Sequence, residues 1–411
     1  MTDSVPAGMS TWTEARERLL GLLSPRCGAE AVPVAESVGR VLAAPVVAPC
    51  DVPPAAVSLL DGYALRAADL PSSGAARLPV RQTIFAGQVG RALATGEAAR
   101  IFTGAPLPEG ADAVIAQEMV DVTEDGAVII RKPLVSGASV RAQAADVRRG
   151  QAVLPAGTRL HPGHVAQLAS LGRSSVEVTP RPRVAVFTTG DELVPPGGTL
   201  APGQIFNANH AFLVAALRGA SASVIDLGQV PDDPDQLAHR LQEASGEADL
   251  VLTSGGVSVG DADHLRSVVS RLGHIDSWRV FLKPGKPLAF GAVGQTPFIG
   301  LPGNPVSTFV TFYLFVVPAL RRLGGATDCL PVVTWLPADF AIDEPGDRPE
   351  FMRVRRVARP GGQVVLERFG DQNSGIISSL SWADALACVP AGATVQPGDL
   401  LECLTFAELF S

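Results

Sequence analysis

Two glycine-rich segments, Ser254-Gly255-Gly256 and Pro302-Gly303-Asn304-Pro305, each follow a short apolar run that reads as a strand. Glycine turns that open a helix leave backbone N–H groups unpaired at the positive end of the helix dipole, which is the physical basis of phosphate binding. One such loop is accounted for by a tight turn, but two at the same end of one sheet point to an anion pocket. Strand one of the same region ends in Thr188-Thr189-Gly190-Asp191-Glu192 and strand two leads to Asp232-Asp233, so Thr189, Gly190, Glu192 and Asp232 fall at the same level. Pro305 suits the first turn of a helix, where its missing N–H costs nothing.

Only three of the 33 basic residues are lysine, Lys132, Lys283 and Lys286, and two of them share the segment Lys283-Pro284-Gly285-Lys286-Pro287. Lysine is a compact point charge with three rotatable donors, whereas arginine is a planar fork. A rigid Pro/Gly loop carrying two lysines therefore suits a phosphate or another tetrahedral oxyanion. Asp191, Glu192, Asp232 and Asp263 beside a phosphate would repel it unless a divalent cation intervenes. Mg²⁺ accepts one or two carboxylates together with phosphate oxygens, so Mg²⁺ is the expected cofactor, while Asp233 and Asp261 read as solvated helix-start acids. Neither GxxxxGK[ST] nor GxGxxG occurs, which excludes the ordinary nucleotide-hydrolysing and dinucleotide-binding classes.

Positioning these loops requires an α/β domain. From Arg183, strand patterns such as RVAVFTTG, ASVIDLGQV and DLVLTSGG alternate with helical stretches at Asn207 to Gly219, Asp233 to Gly246 and around Asp263 to Leu272. WRVFL and PLAFGAV read as further strands before a long apolar helix from about Val306 to Leu323. Such alternation predicts a doubly wound parallel sheet covered on both faces, with ligands outside the carboxyl ends of its strands. Thr11 and Glu14 form a capping-box pattern ahead of a first helix that ends near Ser24-Pro25. Between Ala31 and about Pro180, and again beyond Gly325, short apolar runs broken by Gly and Pro predict β-rich structure. The chain therefore reads as an α/β domain joined to β-rich domains, including a small C-terminal β-domain.

The net charge of −8 and the absence of a basic patch exclude a nucleic-acid partner. The N-terminus lacks a signal-peptide pattern and the apolar run Val306 to Leu320 is too short to span a bilayer, so no membrane partner and a cytoplasmic location are expected. Five scattered cysteines show no zinc spacing and read as buried small hydrophobes. His161 and His164 flank Pro162-Gly163, which reads as a turn.

In order, TTGDEL, VPDDP, TSGGVSVGDAD, KPGKPLAFG and GLPGNPVS resemble the molybdopterin molybdenumtransferases, the family that includes the gephyrin E domain. The likeness extends to Asp61-Gly62-Tyr63-Ala64, to IFTGAPLPEGADAVIAQE from Ile101, PAGTRL from Pro155, PEFMRVR from Pro349 and NSGIISSLSWADAL from Asn373, and so spans nearly the whole chain. The resemblance implies an elongated homodimer with four parts per chain: 1–45 with 147–181 as connecting and dimerisation domain, 46–146 as a β-rich lobe lending residues to the partner's site, 182–326 as the α/β domain and 327–411 as the C-terminal β-domain. It implies insertion of molybdate, the substrate metal, into adenylylated molybdopterin with Mg²⁺-assisted release of AMP. It also implies hand-over contacts with a molybdopterin adenylyltransferase and with molybdoenzymes.

By the same resemblance Glu192 and Asp263 are the magnesium ligands, and Lys283, Lys286, Ser258 and Ser374 contact pterin phosphate or molybdate. They join Thr189, Gly190, Ser254, Gly255, Gly256, Pro302, Gly303, Asn304 and Pro305 as substrate-binding residues. Asp61, Thr103, Arg141 and Asp146 match positions contributed across the dimer and, with Asp232, make up the catalytic set.

Two departures stand out. The family's usual PFDNSAMDGYA is here Pro54-Ala55-Ala56-Val57-Ser58-Leu59-Leu60-Asp61-Gly62-Tyr63-Ala64, and its Arg…Gly-Glu-Asp is Arg141…Ala144-Ala145-Asp146. Each lost polar group can cost roughly 2–4 kcal/mol of transition-state stabilisation. The expected function is thus an active transferase, with a catalytically weakened paralogue that carries pterin or finished cofactor as the alternative.

Overall fold

The computed structural model describes residues 5–6, 9–257, 264–277 and 279–407. The chain divides into two compact units, residues 1–43, 157–161 and 175–411, and residues 44–156 and 162–174.

In the first unit the capping box forms as the sequence predicts: Thr11 Oγ1 accepts from the Glu14 amide and the Glu14 carboxylate accepts from the Thr11 amide, opening helix α1 (Trp12–Leu22). The helix stops at Leu22, slightly before the Ser24-Pro25 pair. The α/β domain then runs β1 (Arg183–Thr189), α2 (Ala208–Gly219), β2 (Ser223–Val230), α3 (Pro234–Glu247), β3 (Leu250–Ser254), α4 (His264–Leu272), β4 (Gly273–Ser277), β5 (Ala289–Val293), β6 (Thr296–Leu301) and α5 (Pro305–Leu323). Asn207 caps α2 by accepting from the His210 amide, and Asp233 caps α3 ahead of its N1 proline.

The sheet order is β2-β1-β3-β6-β5-β4. Its first four strands are parallel, as the alternation of strand and helix predicts, but β5 runs antiparallel to both β6 and β4. The wholly parallel sheet expected from the sequence is therefore corrected at one edge. WRVFL contributes Val280–Phe281, which pairs with Ser10–Thr11 outside that sheet.

Side-chain alternation sorts the strands' residues onto two faces. Val184 and Val186 of β1 pack with α1, α2 and α5, whereas Ala185 and Phe187 pack with α3 and α4. Both faces are thus covered, which explains why these strands read as continuous apolar runs. Helix α5 has a π-helical stretch at Phe312–Val316. Its 19 residues do meet the length and hydropathy of a membrane span, contrary to the sequence expectation, yet 89% of the qualifying window is buried inside the fold. It is the core helix of this unit.

The C-terminal part of the unit is a five-stranded antiparallel sheet, β7 (Thr334–Pro337), β8 (Glu350–Ala358), β9 (Val364–Arg368), β10 (Ala385–Val389) and β11 (Leu400–Thr405), in the order β7-β11-β10-β8-β9. A short helix, α6 (Ser378–Trp382), precedes β10.

The second unit is β-rich, as expected. A four-stranded sheet joins Val80–Ile84, Ala98–Ile101, Gly62–Leu65 and Ala113–Ala116, and a three-stranded sheet joins Asp121–Val122, Val128–Ile130 and Ala76–Leu78. Tyr63 and Leu65 enter one core and Ala64 the other, again by strand alternation.

Two minor expectations fail. Pro162, read as part of a turn, instead starts the helix Pro162–Ser170, at the position where proline is tolerated. Cys27 and Cys50 are exposed rather than buried; only Cys388 and Cys403 are core residues, and burial pushes their thiols up to about 12 and about 11.

Candidate functional site

The strand order 2-1-3 places a topological switch point between β1 and β3, where the chain leaves β1 to one side and returns on the other. In open α/β sheets that crevice is the ligand position. Thr188 lies in register with Ser254 across it, and Ser254 in register with Leu301 of β6. A cleft of about 460 Å³ opens there, within the range of small-molecule sites. Thr189, Gly190, Glu192, Asp232, Ser254, Gly255, Gly256, Pro302, Gly303, Asn304 and Pro305, all singled out from the sequence, lie in its lining.

The glycines are there for steric reasons. Gly255 has φ +96°, and a Cβ on it would sit 2.3 Å from the Thr189 carbonyl oxygen. Gly256 has φ +64° and would meet Thr189 Cγ2 at 2.9 Å. A Cβ on Gly190 would lie 2.7 Å from Glu192 Oε2, so the Glu192 carboxylate folds back over that turn.

The loops after β3 and β6 are tied together by a residue that sequence reasoning passed over. Asn209 Nδ2 donates to Ser254 Oγ at 2.9 Å and to the Gly303 carbonyl at 2.7 Å. Ser254 Oγ in turn donates to the Pro302 carbonyl at 2.8 Å, as does Thr308 Oγ1 at 2.6 Å. The Ser254 hydroxyl, expected to bind substrate, is thus spent on holding the loop. The backbone amides of Gly256, Gly303 and Asn304 have no acceptor among the described residues. No sequence signal marked Asn209, since it occupies an ordinary second position of α2.

Thr189 Oγ1 donates to Asp232, which fixes that carboxylate at the mouth of β1 and β2. Gln229 Nε2 ties down the next turn by donating to the carbonyls of Gly190 at 2.8 Å and Leu193 at 3.2 Å. Glu192 and Asp232 are the two described carboxylates in the cleft. Two carboxylates beside unpaired amides fit a magnesium ion shared with phosphate oxygens. No described group of three or more His, Cys, Asp and Glu side chains forms a self-sufficient metal cage. Ser258 and Asp263 lie outside the described residues.

Lys283, Lys286 and Ser374 are not in the cleft lining, although Pro287 is. Lys283 Nζ donates to Glu350 Oε2 at 3.1 Å, and Lys283 exchanges backbone hydrogen bonds with the segment around Glu350. Its charge is therefore partly neutralised by β8. Lys286 is exposed, and none of the described residues pairs with its ammonium. Ser374 acts through its backbone: its carbonyl accepts from the Val306 amide at 3.1 Å, at the start of α5. The loop carrying Ser374 is gripped by Arg353, a fully buried arginine that the sequence showed only as one residue of PEFMRVR. Its Nε donates to Ser379 Oγ at 3.0 Å, and its Nη2 to the carbonyls of Asp371 at 3.2 Å and Asn373 at 3.1 Å.

The remaining residues expected from the sequence, Asp61, Thr103, Arg141 and Asp146, belong to the second unit. Asp61 Oδ1 accepts from both the amide of Thr103 at 2.9 Å and its hydroxyl at 2.8 Å. These two bonds, with Arg100 nearby, hold the Asp61 carboxyl below the usual carboxylate range despite its exposure. Arg141 is the direct cross-strand partner of Val57, and the backbone of Ala144 and Asp146 bonds to Pro53 and Val52. The two departures from the family pattern, far apart in sequence, therefore form a single patch. Ala144 there adopts φ 56°, a left-handed conformation that suits glycine. An Ala144→Gly substitution is expected to raise stability by up to about 1 kcal/mol, the relieved strain exceeding the added chain entropy. A urea-denaturation midpoint no higher than that of the parent would contradict this.

Comparison with known proteins agrees with this geometry. The family "MoeA N-terminal region (domain I and II)" matches residues 10–172, "Probable molybdopterin binding domain" matches 185–322, and "MoeA C-terminal region (domain IV)" matches 336–406. The chain is 37% identical over 373 residues to a Haemophilus influenzae protein named molybdopterin molybdenumtransferase, covering 90% of this chain and 92% of that one. It is 37% identical over 406 residues to molybdopterin molybdenumtransferase 2 of Mycobacterium tuberculosis, covering 94% and 99%. A solved molybdopterin biosynthesis moeA protein from Pyrococcus horikoshii OT3 has a TM-score of 0.83 at 30% identity, over 97% of this chain and 100% of that chain.

Proposed function

The chain belongs to the molybdopterin molybdenumtransferase family, transferases of molybdenum cofactor biosynthesis, and on that premise we propose that its cleft binds adenylylated molybdopterin, inserts molybdenum from molybdate into the dithiolene, and releases AMP by cleavage of the phosphoanhydride. The observation that carries this reading is the pair of glycine loops, joined by Asn209 at the switch point, with the amides of Gly256, Gly303 and Asn304 left for phosphate oxygens. Molybdate enters as substrate, and AMP leaves.

Glu192 and Asp232, with Asp263, would hold Mg²⁺, which supplies neutralisation of phosphate charge when bound. Thr189 keeps Asp232 oriented through its hydroxyl hydrogen bond. Lys286 supplies a mobile cation for the oxyanion, and Lys283 does so only by leaving Glu350. Ser258 and Ser374 belong to the same substrate set. Asp61, Thr103, Arg141 and Asp146 would be lent by the second copy of a homodimer, with the chain divided into 1–45 and 147–181, 46–146, 182–326 and 327–411. Asp61, kept ionised by Thr103, is then available as a hydrogen-bond acceptor at neutral pH. The protein would work in the cytoplasm and pass its product toward molybdoenzymes, having received its substrate from an adenylyltransferase.

The test is anaerobic incubation of the full chain with adenylylated molybdopterin, Mg²⁺ and molybdate, reading AMP release. AMP formed well above the protein-free rate supports the transferase. Retained pterin binding with no such release would instead support a carrier, the reading favoured by the apolar Ala55-Ala56-Val57 patch facing Arg141. In the same system Lys286→Ala should weaken ligand binding by about tenfold to a hundredfold, the worth of one charge-assisted contact of about 1.5–3 kcal/mol. Lys132→Ala should leave affinity within about twofold, because Lys132 sits in the other unit against Met119. Equal affinities for the two variants would remove Lys286 from the site.

A further inference from the structure

Four strands of the second unit share one end, and the residues just past it form a cluster. Ile84 and Ile101 are in register, and Gly62 is the cross-strand partner of both Ile101 and Ala116. Phe85, Phe102 with Thr103, Asp61, and Gln117 with Glu118 are therefore brought to one place. Alternation puts Arg100 and Phe102 on the same face, and a series of stacked contacts runs through them. The Arg100 guanidinium lies 5.0 Å from the Tyr63 ring centre and 4.8 Å from that of Phe102. Phe102 in turn lies against Phe85, with ring centres 4.7 Å apart and planes 11° from parallel. Tyr63 at the base is buried, whereas Phe85 at the tip is 49% exposed.

These groups are fixed without a ligand. Arg100 donates to the Gly62 carbonyl at 2.9 Å and to the Gln117 side chain. Phe85 opens a turn that the Gln88 amide closes on the Phe85 carbonyl at 3.0 Å. Aromatic rings gain from offset contact on either face, and among the described residues only Phe102 gives Phe85 an aromatic contact. An ordered ring with its other side in water is a stacking surface that lacks one partner.

The polar groups beside it select the partner. Asp61 Oδ1 accepts both donors of Thr103, and Asp61 Oδ2 accepts none from the described residues. Glu118 Oε1 accepts from Gln117 Nε2 at 2.9 Å. Hydrogen bonds hold both carboxyls below the usual carboxylate range, so at neutral pH they are ionised and only accept. A ring edge with two adjacent N–H donors matches a carboxylate in paired bonds. The 2-amino-4-oxopyrimidine half of a pterin has that edge, its N3–H beside the 2-amino group. Adenine instead sets its amino group beside a ring-nitrogen acceptor, which a carboxylate repels.

We propose that Phe85 and Phe102 form a stacking platform for the pterin ring of the substrate, with the Asp61 carboxylate reading its amino edge and Glu118 beside it. With adenylylated molybdopterin as the substrate proposed above, on which this assignment rests, the cleft amides take the phosphates and the platform takes the ring. Phe85 and Phe102 are then specificity-determining residues.

The experiment is titration of the full chain with free pterin and with lumazine, read by quenching of ligand fluorescence, and with AMP, read by calorimetry. Pterin should bind Phe85→Ala at least about tenfold more weakly than the parent, the usual worth of one stacked ring. Phe85 lies outside both cores of its unit, so this variant keeps the fold. Phe85→Tyr, which keeps the ring, should stay within about threefold of the parent. Lumazine carries a carbonyl in place of the 2-amino group and should bind the parent about tenfold more weakly than pterin, a difference that Asp61→Asn should erase. AMP affinity should be the same in the parent and Phe85→Ala. Pterin affinity unchanged in Phe85→Ala would overturn the platform, as would a parent that binds no pterin. AMP binding weakened by Phe85→Ala as much as pterin binding would overturn the choice of pterin. A Phe85→Ala chain that sediments as a smaller species than the parent would assign the platform to a subunit contact instead. A chain that binds pterin through Phe85 but binds no AMP would keep the platform and sink the cleft reading.

Discussion

Gly255→Ala is expected to lose about 3 kcal/mol of stability and, with it, measurable pterin binding at the cleft. The backbone at Gly255 has φ +96°, and strain of that kind costs a residue with a Cβ about 1–3 kcal/mol. The added methyl would stand 2.3 Å from the Thr189 carbonyl oxygen, a backbone atom at the end of β1 that has no rotamer to escape into. Relief must come from moving either Thr189, which carries Asp232, or the glycine loop whose amides face the ligand. Gly303→Ala is the internal control, since a Cβ there meets only Gly255 Cα at 3.9 Å, an ordinary contact. Urea denaturation and ligand titration of the two variants should therefore diverge. If they behave alike, the close approach of the loop to β1 is not what the cleft depends on.

Arg353→Met should be nearly as costly, about 3 kcal/mol, for a different reason. Methionine fills much of the space but removes three hydrogen bonds of a charged donor, to Ser379 Oγ and to the carbonyls of Asp371 and Asn373. The Asn373 carbonyl keeps the Ile376 amide and Ser379 Oγ keeps the Ile376 carbonyl, so the loss is that of the bonds themselves, about 1.5–3 kcal/mol for each bond to a charged group at most. The loss should reach the cleft through Ser374, whose carbonyl meets the first turn of α5. Ligand affinity should fall in the folded fraction as well. Arg353→Lys should sit between the two, keeping the charge but not the fork. A methionine variant with parental denaturation midpoint and parental affinity would show that the loop holds itself.

The cleft was legible in the sequence because its requirements are local. A strand that ends in Gly-Gly, or in Pro-Gly-Asn-Pro, states both a turn and the start of a helix within a few residues. The alternation of Val184, Ala185, Val186 and Phe187 could not say which neighbour covers which face, but it did imply that both are covered. The reversed direction of β5 was also within reach. Only Gly294 and Gln295 separate β5 from β6, and a connection that short permits only antiparallel pairing.

Two of the expected site residues have structural partners remote in the chain. Nothing near Lys283 announces Glu350, and nothing near Ser254 announces Asn209 and Pro302. Both side chains were read as available to a ligand when each already had a structural partner. The same remoteness hid the pairing of Val57 with Arg141, which turns two separate sequence departures into one altered surface.

Helix α5 carries a consequence for how the chain is made. Its apolar surface is shared with Leu19 of α1, synthesised early, and with Phe351, Leu386 and Leu404, synthesised last, while Tyr313 Oη donates to the Thr405 carbonyl at 2.7 Å. A ribosome that has just released α5 therefore presents a segment apolar enough to resemble a membrane span, with its final covering still about eighty residues from completion. The interval before β11 arrives is the time in which this protein most needs shielding from aggregation, and a chain cut short of β11 would never leave it.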